Sequence, residues 1–297
     1  MDHLDALRLF VRVVERGSFT AAAADLNLPR STATEALRRL ERRLGARLLE
    51  RTTRHVAPTP DGQAFYERCV AILADMEDAE AVLRDADPRG RLRIDAPALL
   101  TRTVMLPHLP AFLERYPRLD IQFGQSDRLV DLVREGIDCA IRAGDPVDSD
   151  LMLRPLGELT EITVASPGYL DRFGTPERLD DLDGHQMVGF LSSRTGEVMP
   201  LEFTDGATIR EMRLRSRVSA NNSDTVAELA RLGFGLAQAP GYRFAADIAA
   251  GRLVEVLAAY RPRPMPLSAL YPRGRQLAPR LRVFLDWATD LFAASGL

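Results

Sequence analysis

The sequence predicts an α+β chain in three parts: a small N-terminal module of helices closed by a β-hairpin, a long linker helix, and a two-lobed α/β domain. Three observations carry that prediction. Up to Leu44, apolar residues recur at helical spacing in three short stretches, each closed by a turn signal. A further apolar stripe at spacings of four and three runs from Phe65 to Leu83. Beyond Arg91, short extended runs alternate with helical ones, as in a sheet with crossover helices.

At 297 residues the chain has room for two or three domains with proper cores, and 46% hydrophobic with 27% charged residues is ordinary for a water-soluble protein. Charge is unevenly placed. Residues 1–60 carry eleven arginines against seven acids, a net +4 that leaves −7 on the remainder of a chain whose total is −3. A basic end on an acidic body is the asymmetry expected when one end alone touches phosphate. All 39 cations are arginine, which excludes Schiff-base chemistry and the P-loop lysine. The two cysteines, Cys69 and Cys139, form no CxxC pair and are expected as reduced, buried thiols. Asp2, His3, Asp5 and Arg8 stand where a signal peptide needs an apolar core, and no apolar run approaches the ~18 residues of a membrane span. The expected location is cytoplasmic, with no membrane partner.

Leu4, Leu7, Phe10, Val11 and Val14 mark a first amphipathic helix, ended by Gly17 in a left-handed cap. Ser18 caps a second helix, Phe19 to Asn27, and Asn27-Leu28-Pro29 makes a tight turn. In the third helix Leu37, Leu40 and Leu44 form the buried stripe, while Ser31, Thr34, Arg38, Arg39, Arg42 and Arg43 fall off it. Thr32 to Glu35 fits a capping box. After Gly45, Leu48 to Val56 reads as two short strands around a cationic tip, a wing suited to phosphate or an adjacent minor groove. Helix, capped helix, turn, arginine-rich helix and basic wing in sequence are the plan of a winged helix-turn-helix that reads double-stranded DNA.

The stretch from Phe10 to Gly62, with "SFTAAA", Leu40-Glu41, Leu44-Gly45 and Arg51-Thr52-Thr53-Arg54, resembles the LysR-type transcriptional regulators. The resemblance implies base or phosphate contacts from Arg30, Ser31, Thr34 and Arg38 on the recognition helix, and from Arg51, Thr52, Thr53 and Arg54 on the wing. The family usually has a serine at Pro29 and a serine-arginine pair at Thr34-Glu35. Glu35 therefore reverses a charge. It either accepts from cytosine N4 or completes the capping box, and the cap is the favoured reading.

Thr59 and Pro60 open the linker helix, whose stripe is Phe65, Cys69, Ile72, Met76, Ala79 and Leu83, with acids outside it. As a heptad seam it predicts a homodimer that presents two recognition helices. The competing reading is a helix facing its own domain's core. Asp87-Pro88-Arg89-Gly90 marks a boundary. In the resembling family this helix dimerises subunits, and tetramers are common.

The remaining chain reads as strands at Leu92–Ile94, Asp120–Phe123, Cys139–Arg142 and Leu159–Ala165, with helices between, including Ser126 to Glu135. A second set follows: strands Met187–Phe190, Arg213–Val218 and Leu236–Ala239 and a helix Ser223–Leu232. Leu267–Tyr271 and the helix Leu281–Phe292 return to the first lobe. Two lobes joined by crossover strands place a ligand in the cleft between them. Polar groups at strand-to-helix turns are the candidates for binding it: Thr101, Arg102, Gln125, Ser126, Asn222 and Ser223, with Arg142 at a strand end to pair with a carboxylate. "DCAIRAGDPVDSDLMLRPLGELTEITVASPGYLDRFGTP" is similar to the effector domain of the same family. That likeness implies a lobed fold like a periplasmic binding protein and a small-molecule effector, an organic acid by family habit.

Other signals fail. Gly233-Phe234-Gly235 follows a helix and precedes a strand, the reverse of a dinucleotide loop, and the region around Gly124 lacks the second glycine of a nucleophile elbow. The four histidines show no metal spacing. No catalytic residue, metal site or cofactor is expected. The sequence therefore divides into a DNA-binding domain (1–58), a dimerisation helix (59–88) and an effector domain (89–297). Its first lobe is placed at about 89–164 and 268–297 and its second at about 165–267. The reading is a transcriptional regulator and not an enzyme. The alternative is a solute-binding or enzymatic α/β domain with an incidental N-terminal helical module.

Overall fold

The computed structural model describes residues 2–51, 56–83, 87–128, 130–144, 150–273 and 277–296. Contacts divide the chain into two units, Met1–Gly90 and Arg91–Leu297.

In the first unit, α1 (His3–Arg16) opens with a reciprocal capping box between Asp2 and Asp5 and ends at Gly17, whose φ of 57° is left-handed. α2 (Phe19–Asp25) is capped by Ser18, whose Oγ accepts from the Ala21 amide at 3.3 Å. It stops two residues short of the expected end because Asn27 takes φ 53°, a conformation asparagine tolerates and a helix does not. α3 (Arg30–Leu44) starts immediately after Pro29 and has no side-chain cap. The capping box expected at Thr32–Glu35 is therefore absent: the helix is already under way at Thr32, and Glu35 turns instead to Arg39 and Arg42.

The buried stripe of α3 is Ala33, Leu37 and Leu40, and the expected member Leu44 is 41% exposed at the helix end. Strands β1 (Leu49–Arg51) and β2 (Val56–Pro58) pair antiparallel, with Arg51 opposite Val56. The wing tip with Thr52, Thr53 and Arg54 lies outside the described residues.

Helix α4 (Pro60–Leu83) begins where the Thr59 hydroxyl accepts from the Gly62 amide at 2.9 Å. Its first half belongs to the core of its own module. Cys69 and Leu73 are buried with Leu9, Phe10, Val13 and Leu37, and the Phe65 ring lies 5.5 Å from that of Phe10. The seam expected to be free for a partner is thus partly used at home, at Phe65 and Cys69. A helix packed on its own domain buries whichever stripe faces that domain, and heptad spacing alone does not distinguish the two uses. Ile72 remains 49% exposed, while the side chains of Ala79 and Leu83 lie outside the described residues.

Among its described residues the second unit contains a five-stranded sheet, a three-stranded sheet and two two-stranded pairs. The first has the order β4-β3-β5-β14-β6, formed by β3 (Gly90–Asp95), β4 (Leu119–Gly124), β5 (Cys139–Ala143), β6 (Leu151–Leu159) and, arriving last, β14 (Met265–Pro272). β3 and β5 are parallel, and β14 runs antiparallel to both of its neighbours. Leu92, Ile94, Cys139, Ile141, Leu267 and Ala269 fill its core with Phe112, Phe284 and Leu285. Helical turns cover this sheet: α5 (Ala98–Leu100), a π-helical stretch Thr101–Met105 and α6 (Leu109–Arg115). Further along come α7 (Leu132–Glu135) and, at the end of the chain, α11 (Pro279–Ser295). The helix expected from Ser126 is only this four-residue α7, because Asp131, not Ser126, is its cap and accepts from the Arg134 amide at 3.0 Å.

The second lobe is built on β7 (Glu161–Ala165), with β12 (Ala237–Pro240) and β13 (Val254–Val256) on its two sides, both antiparallel. β8 (Gln186–Phe190) runs parallel to β11 (Arg215–Ala220) and bridges to Leu236, just ahead of β12, which joins these strands into one surface. Around it lie α8 (Pro167–Phe173), the hairpin β9 (Leu201–Asp205) and β10 (Thr208–Met212), α9 (Ser223–Arg231) and α10 (Ala245–Ala249). The single strand expected at Leu159–Ala165 is in fact two, split at Thr160, with β6 in one lobe and β7 in the other. The lobes therefore change over at Thr160 and between β13 and β14, a few residues ahead of the boundaries expected at 164 and 267.

Candidate functional site

Two surfaces carry chemistry, one in each unit. In the first, the buried residues Ala33, Leu37 and Leu40 fix which face of α3 turns outward. That face holds Arg30, Ser31, Arg38, Arg39 and Arg42, all exposed, with Thr34 and Glu35 half-buried among them. The Thr34 hydroxyl donates to the Arg30 carbonyl at 3.0 Å, which leaves its oxygen to accept. The Glu35 Oε1 accepts from Arg39 Nε at 3.3 Å and from Arg42 Nη2 at 3.2 Å. α1 and α2 are locked by Asp25, which pairs with Arg16 at 3.1 Å and Arg12 at 3.6 Å.

Glu41 is the residue of this module whose job the sequence did not disclose. Its Oε1 accepts from the backbone amides of Leu48 at 2.9 Å and Leu49 at 3.2 Å. One carboxylate near the end of the recognition helix therefore holds the start of the wing. Charge-assisted bonds to two backbone donors are a strong tie at such a turn.

In the second unit the polar groups gather between the lobes. Asp95, buried at the end of β3, receives the Ser126 hydroxyl at 3.0 Å and a close ion pair from Arg142. Arg142 also donates to the carbonyls of Asp95 (3.3 Å), Ile141 (2.9 Å) and Arg128 (3.1 Å). A Cβ on Gly124 would lie 2.6 Å from the Asp95 carboxylate, so a larger residue there would have to displace that carboxylate. From the turn that follows β4, the Asp127 Oδ2 accepts both the amide (2.8 Å) and the hydroxyl (2.6 Å) of Ser223, at the start of α9. Asn222 caps α9 through its Oδ1, which accepts from the Thr225 amide at 3.0 Å.

Behind this point Arg243 is 4% exposed and paired with Asp224. Its Nε has no acceptor among the described residues. Beside it, burial pushes the Tyr242 phenol above its ordinary range, against the opposing pull of Arg243.

Ser126, Arg142 and Ser223 thus meet the two carboxylates Asp95 and Asp127, and Asn222 shapes the helix that presents Ser223. Arg142 is committed to Asp95 rather than open to a carboxylate from outside. Thr101 is fully buried and its hydroxyl donates to the Pro97 carbonyl at 3.0 Å. Arg102 and Gln125 are exposed and make no bond to this cluster. Sequence reasoning missed Asp95, Asp127, Tyr242 and Arg243. The first two were findable as acids at the ends of adjacent strands. The other two sit in the single 3-10 turn Gly241–Arg243, which is too short to show a periodic signal.

Among the described residues, no three His, Cys, Asp or Glu side chains are grouped to hold a metal ion, and no helix is long and apolar enough to cross a membrane. Burial pushes the Cys69 thiol up to about 11 and the Cys139 thiol higher still, so neither is a ready nucleophile.

Residues 4–63 match the bacterial regulatory helix-turn-helix proteins of the LysR family, and residues 85–293 match the LysR substrate binding domain. The chain is 35% identical to the HTH-type transcriptional regulator YhjC of Escherichia coli K12 over 289 residues, 97% of each chain. A transcriptional repressor of Pseudomonas aeruginosa UCBPP-PA14 is 35% identical over 295 residues, 99% of this chain and 93% of its own length. Among solved structures, CrgA, a LysR-type regulator of Neisseria meningitidis, has a TM-score of 0.59 at 31% identity, over 97% of this chain and 98% of that one. The full-length virulence activator AphB of Vibrio cholerae has a TM-score of 0.57 at 29% identity, over 98% of this chain and 99% of its own. The helix-turn-helix ahead of a two-lobed effector-binding domain, matched over nearly the whole chain, makes this protein a member of the LysR family of transcriptional regulators, and not an enzyme.

Proposed function

We propose that this regulator binds a two-fold-symmetric operator as a homodimer or tetramer, and that a small organic acid in the cleft between its lobes alters that binding. Arg30, Ser31, Thr34 and Arg38 are the base- and phosphate-contacting residues of the recognition helix. Arg51, Thr52, Thr53 and Arg54 serve the wing. The observation that carries the effector reading is the Asp127 carboxylate lying on the amide of Ser223 at the start of α9. A helix N-terminus is a ready anion site, and here a carboxylate of the protein takes the place a ligand acid would occupy. Ser126, Asn222 and Ser223 then line the ligand, Arg102 and Gln125 edge it, and Arg142 and Thr101 support the lobe from behind. The exposed Ile72 supports self-association along α4. A ligand acts only as far as it binds one arrangement of the lobes better than the other.

The test is fluorescence anisotropy of the full chain on its own upstream DNA and on scrambled duplex, over a salt series, with and without a panel of small organic acids. Preference for the upstream DNA, a steep salt dependence and a shift produced by one acid are expected. Equal binding to both duplexes would refute an operator in the upstream DNA, and indifference to every acid would refute the proposed ligand class.

A further inference from the structure

The outward stripe of α3 opposite its buried residues runs Ser31, Glu35, Arg38, Arg42, at i, i+4, i+7 and i+11. A carboxylate therefore sits in the middle of the surface offered to DNA, where phosphates repel it. The capping role that would excuse it is absent, since α3 begins at Arg30 without a side-chain cap.

The two arginines that screen Glu35 use one oxygen between them. Arg39 Nε and Arg42 Nη2 both donate to Oε1, at 3.3 and 3.2 Å, and Oε2 has no donor among the described residues. The side chain is 46% exposed. An acceptor held in place by two cations, with its second oxygen open, is built to receive a hydrogen bond.

We propose that Glu35 selects a C·G pair in the operator by accepting from the cytosine N4 amino group. In the major groove the bases offer amino donors only at cytosine N4 and adenine N6. Adenine carries the N7 acceptor on the same edge, which opposes a carboxylate, whereas cytosine presents a C–H there. Guanine O6 and thymine O4 are acceptors and are rejected outright. The two arginines lower the cost of bringing the negative charge near phosphates and leave the discrimination to Oε2. This inference rests on the DNA-binding reading.

The test is selection of a randomised duplex library by the full chain, by Glu35→Ala and by Glu35→Gln, with melting curves to establish that both variants fold as the parent does. The parent chain is expected to enrich cytosine at one position of each half-site. In Glu35→Ala that preference falls by about tenfold or more, the size of one base contact, while other positions keep theirs. Glu35→Gln moves the preference toward adenine, whose N6 and N7 match an amide. Identical preferences in all three proteins would overturn the proposal and leave Glu35 a surface ion pair. If the parent enriches no sequence at all, the recognition-helix assignment fails as well, an outcome separate from the first.

Discussion

Asp127 and Ser223 are bonded twice across the cleft, the carboxylate of one lobe accepting the amide and the hydroxyl of the residue that opens α9 in the other. Both bonds are charge-assisted, and such bonds contribute about 1.5–3 kcal/mol each when well formed. The contact is half-buried, so the lower end is expected here. Asp127→Asn should raise hydrogen exchange at the start of α9 by about tenfold without altering exchange in the core of β7. Unchanged exchange at Ser223 would mean the contact does not hold the lobes together.

The winged module depends on a close approach between Gly62 and Leu48. A Cβ at position 62 would lie 1.9 Å from the Leu48 carbonyl oxygen, a backbone atom that cannot swing aside. Gly62→Ala is therefore expected to lower the module's stability by about 1–3 kcal/mol, the usual cost of overpacking. Urea unfolding followed by circular dichroism measures it. Wild-type stability in that variant would mean that α4 can shift along the hairpin at no cost.

Arg51→Ala and Ser31→Ala should separate phosphate contact from base contact. The first is expected to weaken binding to operator and scrambled DNA alike and to reduce the salt slope by about one. The second should cost about 1–3 kcal/mol on the operator with little loss on scrambled duplex. Salt titrations of both variants on both duplexes decide it, and parallel losses for the two would remove the distinction between helix and wing.

Glu161, at the start of β7 beside the changeover between lobes, is raised from 4.5 to about 7, first by burial, then by Glu202, against the pull of Arg263. A carboxyl whose folded pKa is raised binds more protons folded than unfolded. Its contribution is thus complete at low pH and is lost as pH rises from about 4.5 to about 7. The melting temperature of the effector domain should fall across that window, and Glu161→Gln should flatten the fall. Equal pH profiles for the two proteins would show that Glu161 is not the group responsible.

Much of the first sixty residues was legible because its signals are local. Gly17, Ser18, Pro29 and Gly45 end and begin helices through their own backbone preferences, and charge marks the outward face. The hairpin β9–β10 turns at Gly206-Ala207, where Gly206 adopts a left-handed φ of 62°, and a lone glycine is a weak hairpin signal in the sequence. The edge strand β6 is hidden in the sequence for a different reason: it contains Pro155, which weakens a strand signal and is tolerated only at an edge. Neither element changes the fold class.

What the sequence determined by itself was the order of elements in the N-terminal module, the basic recognition helix and the two-lobed plan, since each follows from periodicity, capping residues and charge within a short window. Only the tertiary structure decided that Phe65 and Cys69 pack at home, that Glu41 ties down the wing, that Arg142 is spent on Asp95, and that Asp127 reaches Ser223. Most of those pairings join residues far apart in the chain, as with Asp95 to Arg142 or Asp127 to Ser223. Folding alone brings such partners within bonding distance, and no local preference encodes which acid meets which donor.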